Sequence, residues 1–482
     1  MYTLIIIALA LITVFGSVYI FKSKPRQLDI FIKVSALIFC VIGLVRFHLS
    51  DSFAEVVFDG SDVFETLLRW FSYISYAAIP MAVFFDSRMF KNTVLCFSVP
   101  VGLLCALRFE YSIEYFLSPL GNGWDTAPFI RYALYITEIA LTLAIPLLVQ
   151  KRDSYVPSFK HGREFFNMII GIIGMLLYMM PAYIPQALFG TTDIKISAFS
   201  PIHLGWVALT ILEIVLLYLV FKNKSKEQKW HLCGFLIIAQ FFHSNSVFLR
   251  GFRFSRIPLQ LCCLAAFFYL IILITRNRKL FDFCYIANMI GALVAIVLAS
   301  FSGGALQFWN IHYMYEHTMV IVFPILALAL GLFPRLDRSS LKNMYVIFSC
   351  YFLFCLVIGL VINAFSNNGG YEVNYFYMLD YNTAISYVPF AAFTGAITVN
   401  IGSVTVYPLL VALVYVVFVA ICTLYYLLNR GIYKIIDINK IKAAGIGLAT
   451  KDATESLKRS ANEVICSNDE HVAKYVYERY FQ

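Results

Sequence analysis

Charge is what this chain has least of. Across 482 residues only 13% are Asp, Glu, Lys or Arg, while 61% are hydrophobic. Soluble domains carry about 25% charged and about 45–50% apolar residues, so an ordinary water-facing surface over most of the chain is excluded. No CxxC pair, HExxH motif or zinc-finger spacing occurs, which removes the common thiol-redox and zinc signatures. A glycine-rich phosphate loop is likewise missing. No basic residue precedes the first apolar run at Tyr2 and no small-residue cleavage site follows it, so a cleaved signal peptide is not expected. The alternating ten-residue segments of a transmembrane barrel are absent too.

What is present is a series of apolar runs, each long enough to cross a hydrocarbon core of about 30 Å. The expected fold is all-α, a polytopic transmembrane helical bundle of about 13 spans, near 2–21, 28–47, 69–86, 93–109, 130–150, 165–188, 201–221, 231–249, 257–275, 281–300, 312–333, 343–364 and 404–428. Helices are favoured because every backbone N–H and C=O has to be satisfied without water. Lys and Arg concentrate in alternate connections, for example Lys22, Lys24 and Arg26, Lys222 to Lys229, and Arg335 to Lys342. The positive-inside rule then puts the N-terminus outside and the tail from Asn429 in the cytoplasm of a cell membrane, bacterial by expectation. The formal charge of +9 is on this reading a topology signal, and no nucleic-acid partner is implied. Against the trend, Arg250, Arg253 and Arg256 sit in an outer connection. They either snorkel at the interface or contact a lipid phosphate or carboxylate.

Local matches recur in order: "RFHLSDSF" with "FFHSNSVF", "SRMF" with "RKLF", "GLLCAL" with "GALVAI", and "TEIALTLAIPLL" with "YEHTMVIVFPIL". They suggest a leading helix (1–27), a first six-helix unit (28–222), a second in the same orientation (230–428) and a cytoplasmic tail (429–482), a parallel repeat. Pairing "SRMF" with "RKLF" sets Phe71 and Ser72 opposite Cys262 and Cys263; pairing the proline segments sets Glu138 and Ile139 opposite Glu316 and His317. Any chemistry therefore belongs to the second unit, and the first reads as a degenerate scaffold.

Most of the cysteines lie inside predicted spans, where free Cys behaves as a small hydrophobe. "IPLQLCCLAAFFYL" is different, since its two cysteines follow a proline at the mouth of a span. Cys262, His317 and Asn374 are all expected near one membrane face. A thiol beside an imidazole makes a nucleophile–base pair able to attack an ester carbonyl, with Asn374 orienting the imidazole or polarising the carbonyl. The competing readings are packing for Cys262 and an interhelical hydrogen bond for His317, with Glu316 or His312 as neighbour. Cys263 is expected to point about 100° away on a helix and is the weaker nucleophile.

The segments "IPLQLCCLAAFFYLIILITRNRKLF", "GALVAI", "YMYEHTMVIVFPIL", "GLVINAF" and "VNYFYM" resemble the YwaF-type bacterial integral membrane proteins, relatives of the eukaryotic transmembrane protein 164 acyltransferases. The resemblance implies a bundle of six or more helices and ester chemistry on membrane lipids. It points to Cys262 and His317 as catalytic, with Asn363 and Asn374 as accompanying polar positions and Arg253 and Arg256 available for substrate. Ile257 and Gln260 stand where the bacterial motif has Leu and His, and the Lys-Pro that usually follows the "NY" segment is absent after Met378. No metal and no cofactor is expected, membrane lipids are the expected partners, and the oligomeric state is left open. A transporter with broken helices, or a structural protein with no site, are the alternatives. The topology has a direct check: reporters fused after Lys229 and within 365–402 should report opposite sides of the membrane, and a common side would defeat the map.

Overall fold

The computed structural model describes residues 1–57, 63–113, 127–159, 162–244, 257–299, 301, 303–365, 372–443, 448–461 and 463–465, with isolated positions 467, 472, 476 and 479 beyond them. The chain is a multi-pass, all-helical membrane protein, and among the described residues ten helices are long and apolar enough to cross a bilayer. In order they run α1 (Tyr2–Ile20), α2 (Pro25–Val57), α3 (Val63–Phe84), α4 (Arg88–Thr93), α5 (Val99–Leu107), α6 (Phe109–Ser112), α7 (Pro128–Asp153), α8 (Gly162–Tyr178) and α9 (Ile184–Phe189). Then follow α10 (Pro201–Phe221), α11 (Lys226–Ser244), α12 (Leu261–Thr275), α13 (Arg278–Phe283), α14 (Met289–Val297), α15 (Phe308–Ala329), α16 (Arg338–Phe365), α17 (Tyr381–Tyr387), α18 (Pro408–Ala443) and α19 (Glu455–Ser460). Two minimal sheets complete the order. β1 (Val399–Ile401) pairs antiparallel with β2 (Val404–Val406), and β3 (Leu448–Thr450) pairs parallel with β4 (Glu463–Ile465).

Local chemistry sets the helix ends. Pro128 and Pro201 open α7 and α10, where a missing N–H costs nothing. Asn277 caps α13 by accepting from the Leu280 N–H at 3.2 Å. Two expected spans are shorter than the apolar runs that suggested them. The run 165–188 breaks after Tyr178, where Pro181 cannot continue the ladder, and a short helix, α9, resumes at Ile184 with Pro185 in its first turn. The Tyr178 carbonyl left over accepts from the Tyr315 hydroxyl at 2.8 Å and from His243 Nε2 at 3.0 Å. The run 257–275 begins its helix only at Leu261, just past Pro258.

The segment α4–π–α5 has lengths of 6, 5 and 9 residues, and so has α13–π–α14. Pro146 lies inside α7 and Pro324 inside α15. Helices α1, α2 and α5 pack on α7, as α10, α11 and α14 pack on α15. One continuous apolar core joins the two halves, with Tyr76 stacked on Phe242 at 5.4 Å between centroids.

In the first half the centre is charged. Arg46 on α2 is 2% exposed, Glu138 on α7 is 3% exposed, and the two form a direct ion pair. Tyr76 on α3 donates to the same carboxylate oxygen at 2.9 Å, and the Tyr135 ring lies under the guanidinium at 4.6 Å. Gly43 lets α2 approach, since a Cβ there would sit 2.6 Å from the Tyr76 ring. Removing one partner strands the other charge, which typically costs about 3–5 kcal/mol. Arg46→Leu and Glu138→Leu should each lower thermal stability in detergent by an amount of that order, and the double variant should recover most of the loss. Single variants as stable as the parent would show that the pair does not hold the bundle.

Candidate functional site

Pro258 has no N–H, and the turn around it leaves carbonyls without a backbone partner. Helix α16 supplies the donors. The Tyr351 hydroxyl donates to the Leu259 carbonyl, and the Cys355 thiol reaches the same oxygen at 3.7 Å. Asn288, the last residue of the second π-helix, donates from Nδ2 to the Leu261 carbonyl at 2.8 Å. These contacts fix the start of α12, with Cys262 and Cys263 in its first turn. N–H groups in a first turn have no intrahelical partner and carry the positive end of the helix dipole.

Helix α15 faces that turn with Glu316 and His317. The Cys262 and Cys263 sulfurs are 3.9 Å apart, and both lie within 4.8 Å of a Glu316 carboxylate oxygen. The His317 imidazole neighbours the Cys262 thiol. His317 Nδ1 is 2.7 Å from the Tyr313 carbonyl. A carbonyl only accepts, so Nδ1 carries the hydrogen and Nε2 is the basic nitrogen. The Tyr313 ring lies on the imidazole at 4.1 Å and limits its rotation. Glu316 Oε2 is 3.8 Å from His312 Nε2, while Glu316 Oε1 is buried with no hydrogen-bond partner among the described residues.

The loop after α16 closes over this group. Tyr377 neighbours Cys262 and Tyr375 neighbours Cys263. Phe376 and Tyr377 hold φ of 56° and 58°, a left-handed conformation that non-glycine residues adopt at a cost. Phe376 is wedged among Phe348, Tyr351, Phe352 and Phe418, and this contact holds the strained pair in place.

Of the residues singled out in the sequence, Cys262 and His317 come together. Asn363 and Asn374 do not join them. Asn363 is clamped on Val373, donating to its carbonyl at 2.8 Å and accepting from its N–H at 2.9 Å. Asn374 Oδ1 accepts from the Leu379 and Asp380 N–H groups at 3.0 and 3.2 Å. Both build the loop. Arg253 and Arg256 lie outside the described residues. Cys263 does not turn away as helical spacing suggested; it shares the pocket. Glu316 was weighed only as a partner for His317, yet it is central. Asn288, Tyr313, Tyr351 and Tyr377 carried no signal beyond being polar in apolar surroundings.

Residues 198–428 match the TMEM164 family. Over this stretch the chain is related to the TMEM164-type proteins. The matched segment begins just ahead of α10 and ends within α18, so it contains Cys262, Cys263, Glu316 and His317 and leaves α1 to α9 outside. No curated protein and no solved structure gives a significant match.

In the TMEM164-related segment the loop clamp can be tested alone. Asn374→Ala removes one acceptor for two amides, and an unpaired buried N–H costs about 1–3 kcal/mol. Hydrogen exchange at Leu379 and Asp380 should then rise by about tenfold or more, while α15 amides stay protected. Unchanged exchange would remove Asn374 from the loop's support.

Proposed function

We propose that this protein transfers or hydrolyses acyl esters of membrane lipids through Cys262, with His317 as general base, at the outer face of the membrane. The observation that carries this reading is a thiol in the first turn of α12 beside an imidazole whose tautomer is fixed by the Tyr313 carbonyl. His317 Nε2 takes the thiol proton as sulfur attacks the ester carbonyl carbon. The electron pair of the C=O bond moves onto oxygen, where first-turn N–H groups can stabilise it. Collapse of the intermediate breaks the C–O bond. His317 returns its proton to the leaving alkoxide, and Cys262 keeps the acyl group as a thioester. In the second half an alcohol or water loses its proton to His317 and attacks the thioester, and the released thiolate takes that proton back.

The first half of the chain fits this reading as a scaffold copy, α1 to α5, α7 and α8 corresponding to α10 to α16, with α6 as an extra turn and the leading helix drawn into the first unit in place of the expected 28–222 bounds. Support comes from the equal α–π–α lengths, the shared proline and the matching order of helix contacts. Counted from the starts of α4 and α13, Ser72 and Tyr73 stand opposite Cys262 and Cys263, one residue on from the pairing that "RKLF" gives. Glu138, opposite Glu316, is closed off by Arg46. Transport finds less support at Glu138 and Glu213, which are tied to neighbours, Glu138 to Arg46 and Tyr76, and Glu213 to Tyr178.

Purified protein given a phospholipid with a labelled acyl ester should form a hydroxylamine-sensitive adduct that mass spectrometry locates on Cys262 and not on Cys263. Cys262→Ala should abolish it. His317→Gln should slow it by about 10²–10⁴-fold, the usual contribution of a general base. Full turnover in Cys262→Ala would overturn the reading.

A further inference from the structure

We propose that Cys262, Cys263 and Glu316 form a binding site for a zinc-class divalent cation, with the fourth position left to a water or another exogenous donor. Two thiolates on a tetrahedral zinc, each at about 2.3 Å, lie about 3.8 Å apart. The two sulfurs here are 3.9 Å apart before any ion is added. The carboxylate oxygen is within 4.8 Å of both, so a change of about 1 Å, well within side-chain rotation, brings it to the 2.0–2.2 Å bond length usual for zinc–carboxylate contacts.

A second observation points the same way. Glu316 is 6% exposed, one of its oxygens lies within 4.8 Å of both sulfurs, and its Oε1 has no hydrogen-bond partner among the described residues. A carboxylate withdrawn from water needs compensation, and His312 is an ionic neighbour at 3.8 Å. A divalent ion would complete that oxygen, deprotonate both thiols on binding and supply the positive charge the anionic donors need. The sequence shows no metal motif because the donors come from adjacent residues of α12 and from one turn of α15, a combination that no spacing rule describes.

Zinc at this site would hold the Cys262 sulfur in a metal bond and occupy the position an acyl group has to reach. The ion is thus a reversible inhibitor of the proposed acyl transfer. That consequence rests on the acyl-transfer reading; the site itself does not.

The test uses the full-length protein stripped with chelator and titrated with Co²⁺, then with Zn²⁺. One Co²⁺ per chain should bind with a thiolate-to-metal charge-transfer band, displaced by Zn²⁺. Zn²⁺ should protect Cys262 and Cys263 from alkylation, read residue by residue by mass spectrometry. Cys263→Ser and Glu316→Gln should each weaken binding by more than the about 10–100-fold that outer-shell changes cost. Absence of the charge-transfer band in the parent protein, or equal alkylation of Cys262 and Cys263 with and without Zn²⁺, overturns the site even if both variants fail to fold. Adduct formation on Cys262 in metal-free protein is measured separately. A bound ion without acylation would sink the catalytic reading alone, and acylation unaffected by saturating Zn²⁺ would sink the inhibition.

Discussion

A carbonyl freed inside hydrocarbon has to meet a protein donor, and much of this structure follows from that requirement. At the breaks beside Pro181 and Pro258, side chains from other helices converge. The Tyr178 carbonyl gathers Tyr315 and His243. The Leu259 carbonyl gathers Tyr351 and Cys355, and the Leu261 carbonyl gathers Asn288. The second break matters most for function. Its donors come from α16 and from the π-helix between α13 and α14, so three parts of the chain are tied to the turn that presents the cysteines. The site is rigid because the backbone needed those partners whether or not any chemistry takes place there.

The same scarcity of water treats two carboxylates differently. Glu138 is matched to a guanidinium and a tyrosine hydroxyl, an arrangement in which the anion's partners are fixed. Glu316 is surrounded by two thiols and two imidazoles, groups whose protons can move. A permanent cation holds helices together. Titratable neighbours leave the charge state open to ligands and substrates. The contrast between the halves lies in which partners the carboxylate was given, and the helical frame around each is much alike.

The fold was largely legible because span length and apolar content are one-dimensional properties. The helix breaks at Tyr178 and Leu261 could be placed from Pro181 and Pro258, though the apolar runs concealed them. Bringing Cys262 to His317 required only that both lie near the same end of their spans, which counting supplies. Cys263 was misjudged for a definable reason. The turn of about 100° per residue describes Cα–Cβ directions, but a thiol adds a rotatable bond, and two sulfurs in a first turn can swing toward each other. Asn363 and Asn374 stood out as polar residues, yet their role depends on loop carbonyls and amides whose positions no periodicity encodes. The π-helices are invisible in the sequence, since a single extra residue in a turn leaves apolar patterning intact.

The left-handed pair Phe376–Tyr377 shows how that loop is held over the site. Such backbone is unfavourable for non-glycine residues, so something has to return the energy. Phe376 does so by inserting among four aromatic rings of α16 and α18, and Asn374 does so from the other side by collecting two amides. Tyr377 is then carried to Cys262 as a consequence of where its neighbour is anchored. Apolar packing of Phe376 thus sets the course of the loop beside the cysteines. In a membrane protein this is an economical way to shape a loop, because such packing requires no water.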